Sequence, residues 1–135
     1  MLSTSHGLPR AFAIIGMAAL ISGCSKKPAE APVGPTVFGA QAVIPISLTL
    51  LKADGQSGRS SPIFSNYRPQ VRFPLGSVEA SCVVRLPAAT PSLEPGQSSS
   101  ASLTCDTEVR VERNKPEFSV FEGGKQVASG SVQLP

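Results

Sequence analysis

The chain has 135 residues and a formal net charge of +3, which is room for one domain of ordinary size. Its Gly and Pro content is below that of a low-complexity chain, and its Leu, Ile, Val and Phe content is above that of a disordered one. The single histidine, His6, lies in a segment expected to be removed, and a mature chain without it cannot hold a Ser-His-Asp triad, a Cys-His pair or a His-ligated metal.

Residues 1–23 have the pattern of a targeting segment. A polar stretch that ends at Arg10 precedes the apolar run AFAIIGMAALIS. That run has about 12 residues, whereas a membrane-spanning helix needs roughly 20, so it fits the hydrophobic region of a signal peptide. The alternative, an N-terminal core helix, is disfavoured because a polar, Pro-rich stretch follows at once.

The end of this run, Ile21-Ser22-Gly23-Cys24, resembles the lipobox of bacterial lipoproteins. The resemblance implies cleavage before Cys24, which then carries diacylglycerol and an N-acyl chain and anchors the protein in the lipid bilayer. The next residue is Ser25 and not the Asp that tends to retain such proteins in the inner membrane. The resemblance therefore favours the cell envelope, at the periplasmic face of the outer membrane if the cell is Gram-negative. The alternative is an ordinary free thiol at Cys24.

Residues 24–36 are predicted to be the lipidated N-terminus and a Pro-rich tether. At about 3.1 Å per residue, the tether reaches roughly 35–40 Å if it is fully extended. Lys26 and Lys27 could contact acidic lipid headgroups. Simple solvation of both side chains is the preferred interpretation.

From residue 37 to 135 the hydrophobic pattern has a period of two, which is typical of β-strands. Three long segments show it, beginning at Ile44, Val78 and Ala101, and the third continues without interruption to Val111. About six strands in about 98 residues predict an all-β fold, a small antiparallel barrel or sandwich. The predicted turns are Asp54-Gly55, Pro87, Pro95-Gly96, Asn114-Lys115-Pro116 and Gly123-Gly124.

Two cysteines remain if Cys24 carries lipid. Cys82 and Cys105 both fall on the apolar faces of predicted strands that follow one another along the chain and could pair directly. Disulfides persist in the oxidising compartments that exported proteins reach. We therefore predict a Cys82–Cys105 disulfide. The alternative is two buried free thiols that act as small hydrophobic side chains.

Residues 57–73 read SGRSSPIFSNYRPQVRF. This segment resembles the signature of the third, C-terminal domain of elongation factor Tu, in which Gly-Gly-Arg is followed by Pro, an apolar pair and Tyr-Arg-Pro-Gln. Three further motifs follow in the order of that family: the strand that ends in Leu86-Pro87, the turn at Pro95-Gly96 and the closing hairpin around Gly123-Gly124. The resemblance covers about residues 43–133. It implies a six-stranded antiparallel β-barrel over residues 37–135.

In elongation factor Tu this domain contacts the T-stem of aminoacyl-tRNA and packs against the GTPase domain. The resemblance places four residues at or near RNA-facing positions, namely Arg59, Ser60, Gln70 and Lys125. Ser60 replaces the usual His of the family, and Phe121 replaces an Arg. Loss of Arg10 with the signal peptide leaves 11 basic against 9 acidic residues, a weak basis for neutralising phosphates. Nucleic-acid binding is therefore disfavoured.

Two further motifs are interpreted as turns. The sequence contains no Gly-x-x-x-x-Gly-Lys-Ser/Thr loop, so Asn114-Lys115-Pro116-Glu117 is not interpreted as a guanine-reading motif. Ser98-Ser99-Ser100 is interpreted as a solvated turn and not as a nucleophile, because no base is available. We expect no nucleotide, no metal and no other cofactor.

The leading hypothesis is a non-catalytic lipoprotein whose barrel is a protein-binding or structural module of the cell envelope, with an unidentified envelope protein as its partner. The alternative is a cytosolic domain, related to the elongation factor, that contacts tRNA or translation factors and keeps its N-terminus. A third hypothesis is an enzyme that uses only carboxylates such as Glu79, Asp106 or Glu122. It is disfavoured because acidic side chains on strand exteriors are usually solvated.

Overall fold

The computed structural model describes residue 7, residues 34–76 and residues 79–135. The expected signal peptide and Cys24, with most of the expected tether, lie outside the described residues. The described part of the chain contains strands and no helix, so it offers no helix that could span a membrane. The described residues from 34 to 135 belong to one compact unit.

The described residues form ten β-strands. In chain order they are β1 (Thr36–Phe38), β2 (Val43–Leu50), β3 (Ile63–Phe64), β4 (Gln70–Arg72), β5 (Glu79–Arg85), β6 (Ser92–Leu93), β7 (Ser98–Cys105), β8 (Val109–Val111), β9 (Glu117–Glu122) and β10 (Lys125–Val132).

Six of these strands close into an antiparallel barrel in the order β10-β2-β7-β5-β4-β9. This confirms the predicted all-β fold and the six-stranded antiparallel barrel. The other four strands form two short ribbons, β1 with β8 and β3 with β6. β2 pairs with β10 on one side and with β7 on the other over most of its length, so it lies inside the sheet.

The barrel core consists of the side chains that the period of two assigns to the inner face. In β2 the alternate residues from Ile44 to Leu50 are at most 1% exposed, and in β5 Ala80, Cys82 and Val84 are at most 2% exposed. Val78, predicted for the same inner face, lies outside the described residues. Phe73 and Phe118 pack against each other in this core with ring centroids 5.7 Å apart.

The third predicted strand is in fact two strands, so that prediction was wrong. The chain leaves the barrel after Cys105, bends through residues 106–108, and continues as β8 on β1. Cys105 and Val109 both point inward and are separated by an even number of positions. The alternation therefore continues unbroken in sequence although the strand does not.

The interpretation of Ser98-Ser99-Ser100 as a solvated turn was also wrong. They are the first residues of β7 and pair with Thr49, Leu48 and Ser47 of β2. The hydroxyls of Thr49 and Ser98 share a hydrogen bond of 2.6 Å. Pairing with β2 outweighs the weak intrinsic strand preference of consecutive serines.

The predicted turns at Pro95-Gly96 and Gly123-Gly124 are confirmed. At Pro95-Gly96, Gln97 N donates to Glu94 O at 3.0 Å and Gly96 has φ 87°, as a type II turn requires after Pro95. In the second, Gly123 and Gly124 both have positive φ and join β9 to β10 by the two-residue loop favoured in hairpins. This hairpin places Glu122 opposite Lys125.

The predicted Cys82–Cys105 disulfide is present. The two residues are direct partners in the β5–β7 ladder, with Cα atoms 4.0 Å apart, and each is 2% exposed. The bridge joins neighbouring barrel strands at the point where the chain bends away towards β8.

The barrel has two ends that differ in what they carry. The hairpin end carries the β9–β10 turn and the loop after β2, because Leu50 pairs with Ala128 near that turn. The entry end carries the β1–β8 ribbon, because Gln41, between β1 and β2, donates its N–H to Cys105 O at 2.8 Å.

Candidate functional site at the hairpin end

The loop after β2 is folded back onto the β9–β10 hairpin by backbone hydrogen bonds. Leu51 N donates to Val127 O at 2.9 Å, and Gly58 N donates to Gln126 O at 2.8 Å. Arg59 N closes the loop by donating to Leu51 O at 2.9 Å. Arg59 is therefore held at a fixed place beside the hairpin.

The tip of this loop is an Asx turn at Asp54. Its Oδ1 accepts the backbone N–H of Ser57 at 2.7 Å and of Gln56 at 2.9 Å, and Oδ2 accepts the Ser57 hydroxyl at 3.0 Å. These bonds, above all the one from the Ser57 backbone, hold the pKa of Asp54 below its ordinary value. The predicted Asp54-Gly55 turn is thus confirmed as a locally satisfied turn.

Arg59 uses all three guanidinium nitrogens on acceptors of its own chain. One terminal nitrogen donates to Glu122, Nε donates to Ser61 O at 3.3 Å, and the other terminal nitrogen donates to Ser61 Oγ at 3.2 Å and to Pro62 O at 3.5 Å. The guanidinium also lies over the Tyr67 ring, 5.3 Å from its centroid. The side chain is only 21% exposed, so little of it remains available to an external ligand.

The charges of this cluster favour a salt bridge at neutral pH. Partial burial opposes ionisation of Glu122, but the hydrogen bond from Arg59 and the charges of Arg59 and Lys125 outweigh it and lower the pKa of Glu122. The hydrogen bond with Glu122 raises the pKa of Arg59.

Tyr67 lies beneath this salt bridge with its hydroxyl buried. The hydroxyl has no hydrogen-bond partner of acceptable geometry among the described residues, although it lies next to Glu122. Burial, followed by the neighbouring carboxylate, raises the pKa of Tyr67 well above its ordinary value, so the phenol stays neutral.

The structure brings three of the four RNA-facing candidates together. Arg59, Ser60 and Lys125 line one open groove of about 310 Å³, with Glu122 between them. We call this feature the hairpin groove. Because Arg59 and Glu122 neutralise each other, Lys125 supplies its net charge.

Gln70 does not belong to the hairpin groove. It lies in β4 between Phe121 of β9 and Ser81 of β5, and its Nε2 donates to Ser81 Oγ at 2.9 Å. The adjacent Arg72 covers the Phe121 ring, 4.4 Å from its centroid, and pairs with Glu79. Gln70 is thus engaged on the outer face of the barrel.

The carboxylates of the third hypothesis do not come together. Glu79 pairs with Arg72, Glu122 pairs with Arg59, and Asp106 lies in the bend after β7. Over the part of the chain that the structure describes, no three His, Cys, Asp or Glu side chains form a group that could hold a metal ion.

Sequence reasoning missed the partners of Arg59. Glu122 lies 63 residues away along the chain, and no local pattern joins the two. Tyr67 and Glu122 both fall within the motifs of the resemblance. The sequence itself gives no signal that pairs them with Arg59.

We expect Glu122→Gln to lower the free energy of unfolding by about 0.5–1 kcal/mol at neutral pH, since both partners of the salt bridge remain partly exposed. The folded state lowers the pKa of Glu122, so its contribution is present above the ordinary value of 4.5 and is lost as the pH falls through the lower folded value. The difference between wild type and variant should therefore vanish in acid. Urea unfolding at a series of pH values measures it.

Glu79→Gln is the matched control, because it removes the more exposed salt bridge to Arg72. Its effect on the free energy of unfolding should be smaller at neutral pH. If Glu122→Gln still lowered the free energy of unfolding at acid pH, the carboxylate would not stabilise the fold through its salt bridge to Arg59.

Among known protein families, none has a family model that matches this chain.

Proposed function

We propose that the protein is a non-catalytic lipoprotein, anchored in the cell envelope through Cys24, whose single barrel binds a protein partner or supports envelope structure. The lipobox-like sequence before Cys24, the Pro-rich stretch over residues 24–36 and the barrel that follows support this order of signal, anchor, tether and module. In a Gram-negative cell the proposed site is the periplasmic face of the outer membrane.

One observation favours a protein-binding module over an RNA-binding one: the guanidinium of Arg59 is hydrogen-bonded within its own chain. A phosphate contact needs guanidinium donors that are free to reach it. Every nitrogen of Arg59 instead donates to Glu122, Ser61 or Pro62. We therefore assign Arg59 a role in holding the loop to the hairpin.

A second candidate function, contact with tRNA or translation factors, is favoured by one observation. Arg59, Ser60 and Lys125, which the resemblance places at RNA-facing positions, line the same groove. The near-neutral charge of this groove weakens the argument, because affinity for RNA depends mainly on phosphate neutralisation.

Palmitate labelling and membrane fractionation of the full chain, beside its Cys24→Ala variant, test the proposal. We expect wild type to be labelled and membrane-bound, and the variant to be unlabelled. A Lys26→Ala/Lys27→Ala variant is the matched control, and it should be labelled like wild type because the lipobox-like residues are intact.

Cross-linking of the labelled protein in intact cells then identifies what the barrel contacts. An envelope protein among the captured molecules supports the proposal. Unlabelled, soluble wild type that captures only tRNA or translation factors would establish the second candidate in its place.

A further inference from the structure

An apolar cavity opens at the entry end of the barrel, where the predicted tether joins the first strand. Its volume is about 450 Å³. Phe73, Leu75 and Val109 supply apolar side chains, and Pro35 lines the side from which the chain arrives. This cavity is distinct from the hairpin groove, since Phe73 follows the end of β4 and the groove lies at the opposite end of the barrel.

The rim of the cavity combines exposed apolar groups with one acidic and one basic side chain, since Glu108 and Arg110 both line it. Val37 of β1 is 50% exposed and lies directly opposite Arg110 of β8, so the two side chains are neighbours on one face of the ribbon. The Arg110 side chain is 62% exposed, and its single ion pair among the described residues is a loose one to Glu108, at 3.3 Å. An apolar depression edged by a pair of opposite charges matches a bilayer surface, where acyl chains lie below headgroups that carry both phosphates and cations.

We propose that this entry end docks on the surface of the bilayer, an inference that rests on the proposed lipid anchor at Cys24. Leu75 and Val37 would lie at the boundary between headgroups and acyl chains, with Arg110 beside the phosphates. The occupant of the cavity mouth is therefore phospholipid, and not a second copy of the chain or a peptide.

The shortness of the tether favours a lipid surface over a peptide or a second copy of the chain as the occupant of the apolar cavity. Pro35 follows Cys24 by 11 positions, so even a fully extended chain holds the entry end within about 40 Å of the anchor. A tether this short keeps the effective concentration of the bilayer at the entry end high, so weak contacts are enough for docking. No other part of the barrel is attached as directly.

Docking at the entry end gives the barrel an orientation. The hairpin groove, with Ser60 and Lys125, is at the other end and faces away from the membrane. The hairpin groove is then the surface that an envelope protein meets first.

The absence of tryptophan from the sequence allows a direct test. Val37→Trp places a single tryptophan at the entry end, and Gln56→Trp places one in the exposed loop at the hairpin end. Each mature, lipidated protein is reconstituted in vesicles of phosphatidylglycerol and brominated phosphatidylcholine in equal parts. We expect bromine to quench Val37→Trp at least twofold more strongly than Gln56→Trp, and a Leu75→Trp variant to follow Val37→Trp.

Equal quenching of the two reporters would overturn the docking. Emission of Val37→Trp that changes with the density of protein in the vesicle, but not with brominated lipid, would overturn it in favour of self-association. Flotation with vesicles and palmitate labelling report the anchor separately. A protein that floats and is labelled but shows equal quenching disproves docking alone, whereas one that neither floats nor is labelled disproves the proposed function as well.

Discussion

Replacing Gly58 with alanine should lower the free energy of unfolding by about 3 kcal/mol, the largest effect of any single methyl group in this loop. Gly58 has φ +81°, and a Cβ atom there would lie 2.0 Å from Lys52 O and 2.7 Å from Ala53 N. Both contacts are with backbone atoms. The loop cannot move away without breaking the hydrogen bonds from Gly58 N to Gln126 O and from Arg59 N to Leu51 O.

Gly55→Ala is the matched control, because it separates the cost of the contact from the cost of the backbone angle. Gly55 also has positive φ, +92°, but a Cβ atom there meets nothing within 4 Å. We expect the free energy of unfolding to fall by only about 1–2 kcal/mol, the cost of the left-handed conformation alone. Urea unfolding followed by circular dichroism measures both variants. Equal losses would show that the close approach to Lys52 contributes nothing.

Opening the Cys82–Cys105 disulfide should lower the free energy of unfolding by about 3 kcal/mol, because the closed loop of 23 residues limits the conformations of the unfolded chain. Unfolding with and without reductant measures this loss directly. Both cysteines are buried, so we expect reduction to require unfolding or high concentrations of reductant.

The double variant Cys82→Ala/Cys105→Ala controls for other effects of the reductant. It should be less stable than the oxidised wild type and should not respond to reductant. Thiol titration of the unfolded, unreduced protein adds an independent check. Two reactive thiols from Cys82 and Cys105 would contradict the bridge.

The parts of the fold that were predictable from the sequence are those encoded by neighbours along the chain. The inner face from Ile44 to Leu50 follows from a period of two, and Gly123-Gly124 follows from the positive φ angles that a tight hairpin requires. The Cys82–Cys105 pair was predictable because both cysteines fall on the inner faces of strands that are neighbours in the barrel.

The parts that were not predictable depend on pairing between distant segments. The strand that ends at Cys105 and the one that begins at Val109 share an inward phase, so periodicity cannot show the bend between them. The strand character of Ser98–Ser100 is imposed by β2.

The same limit applies to the candidate site. The motif positions Arg59 and Lys125 were identified, but the acceptors that engage Arg59 come from its own loop and from Glu122. Only the folded chain shows that the guanidinium is already committed. The separation of Gln70 from the groove likewise depends on the register of β4 with β9 and β5.

Closure of the barrel matters for the proposed anchoring of many copies of the protein on one membrane. An open sheet would offer its neighbours a long row of unpaired N–H and C=O groups, a template for lateral aggregation. Here β10 joins β9 and completes the ring, so among the described strands the only sheets that have two edge strands are the ribbons of two or three residues per strand. Such short edges disfavour strand exchange between crowded copies, so dense display on a membrane carries little risk of aggregation through exposed edges.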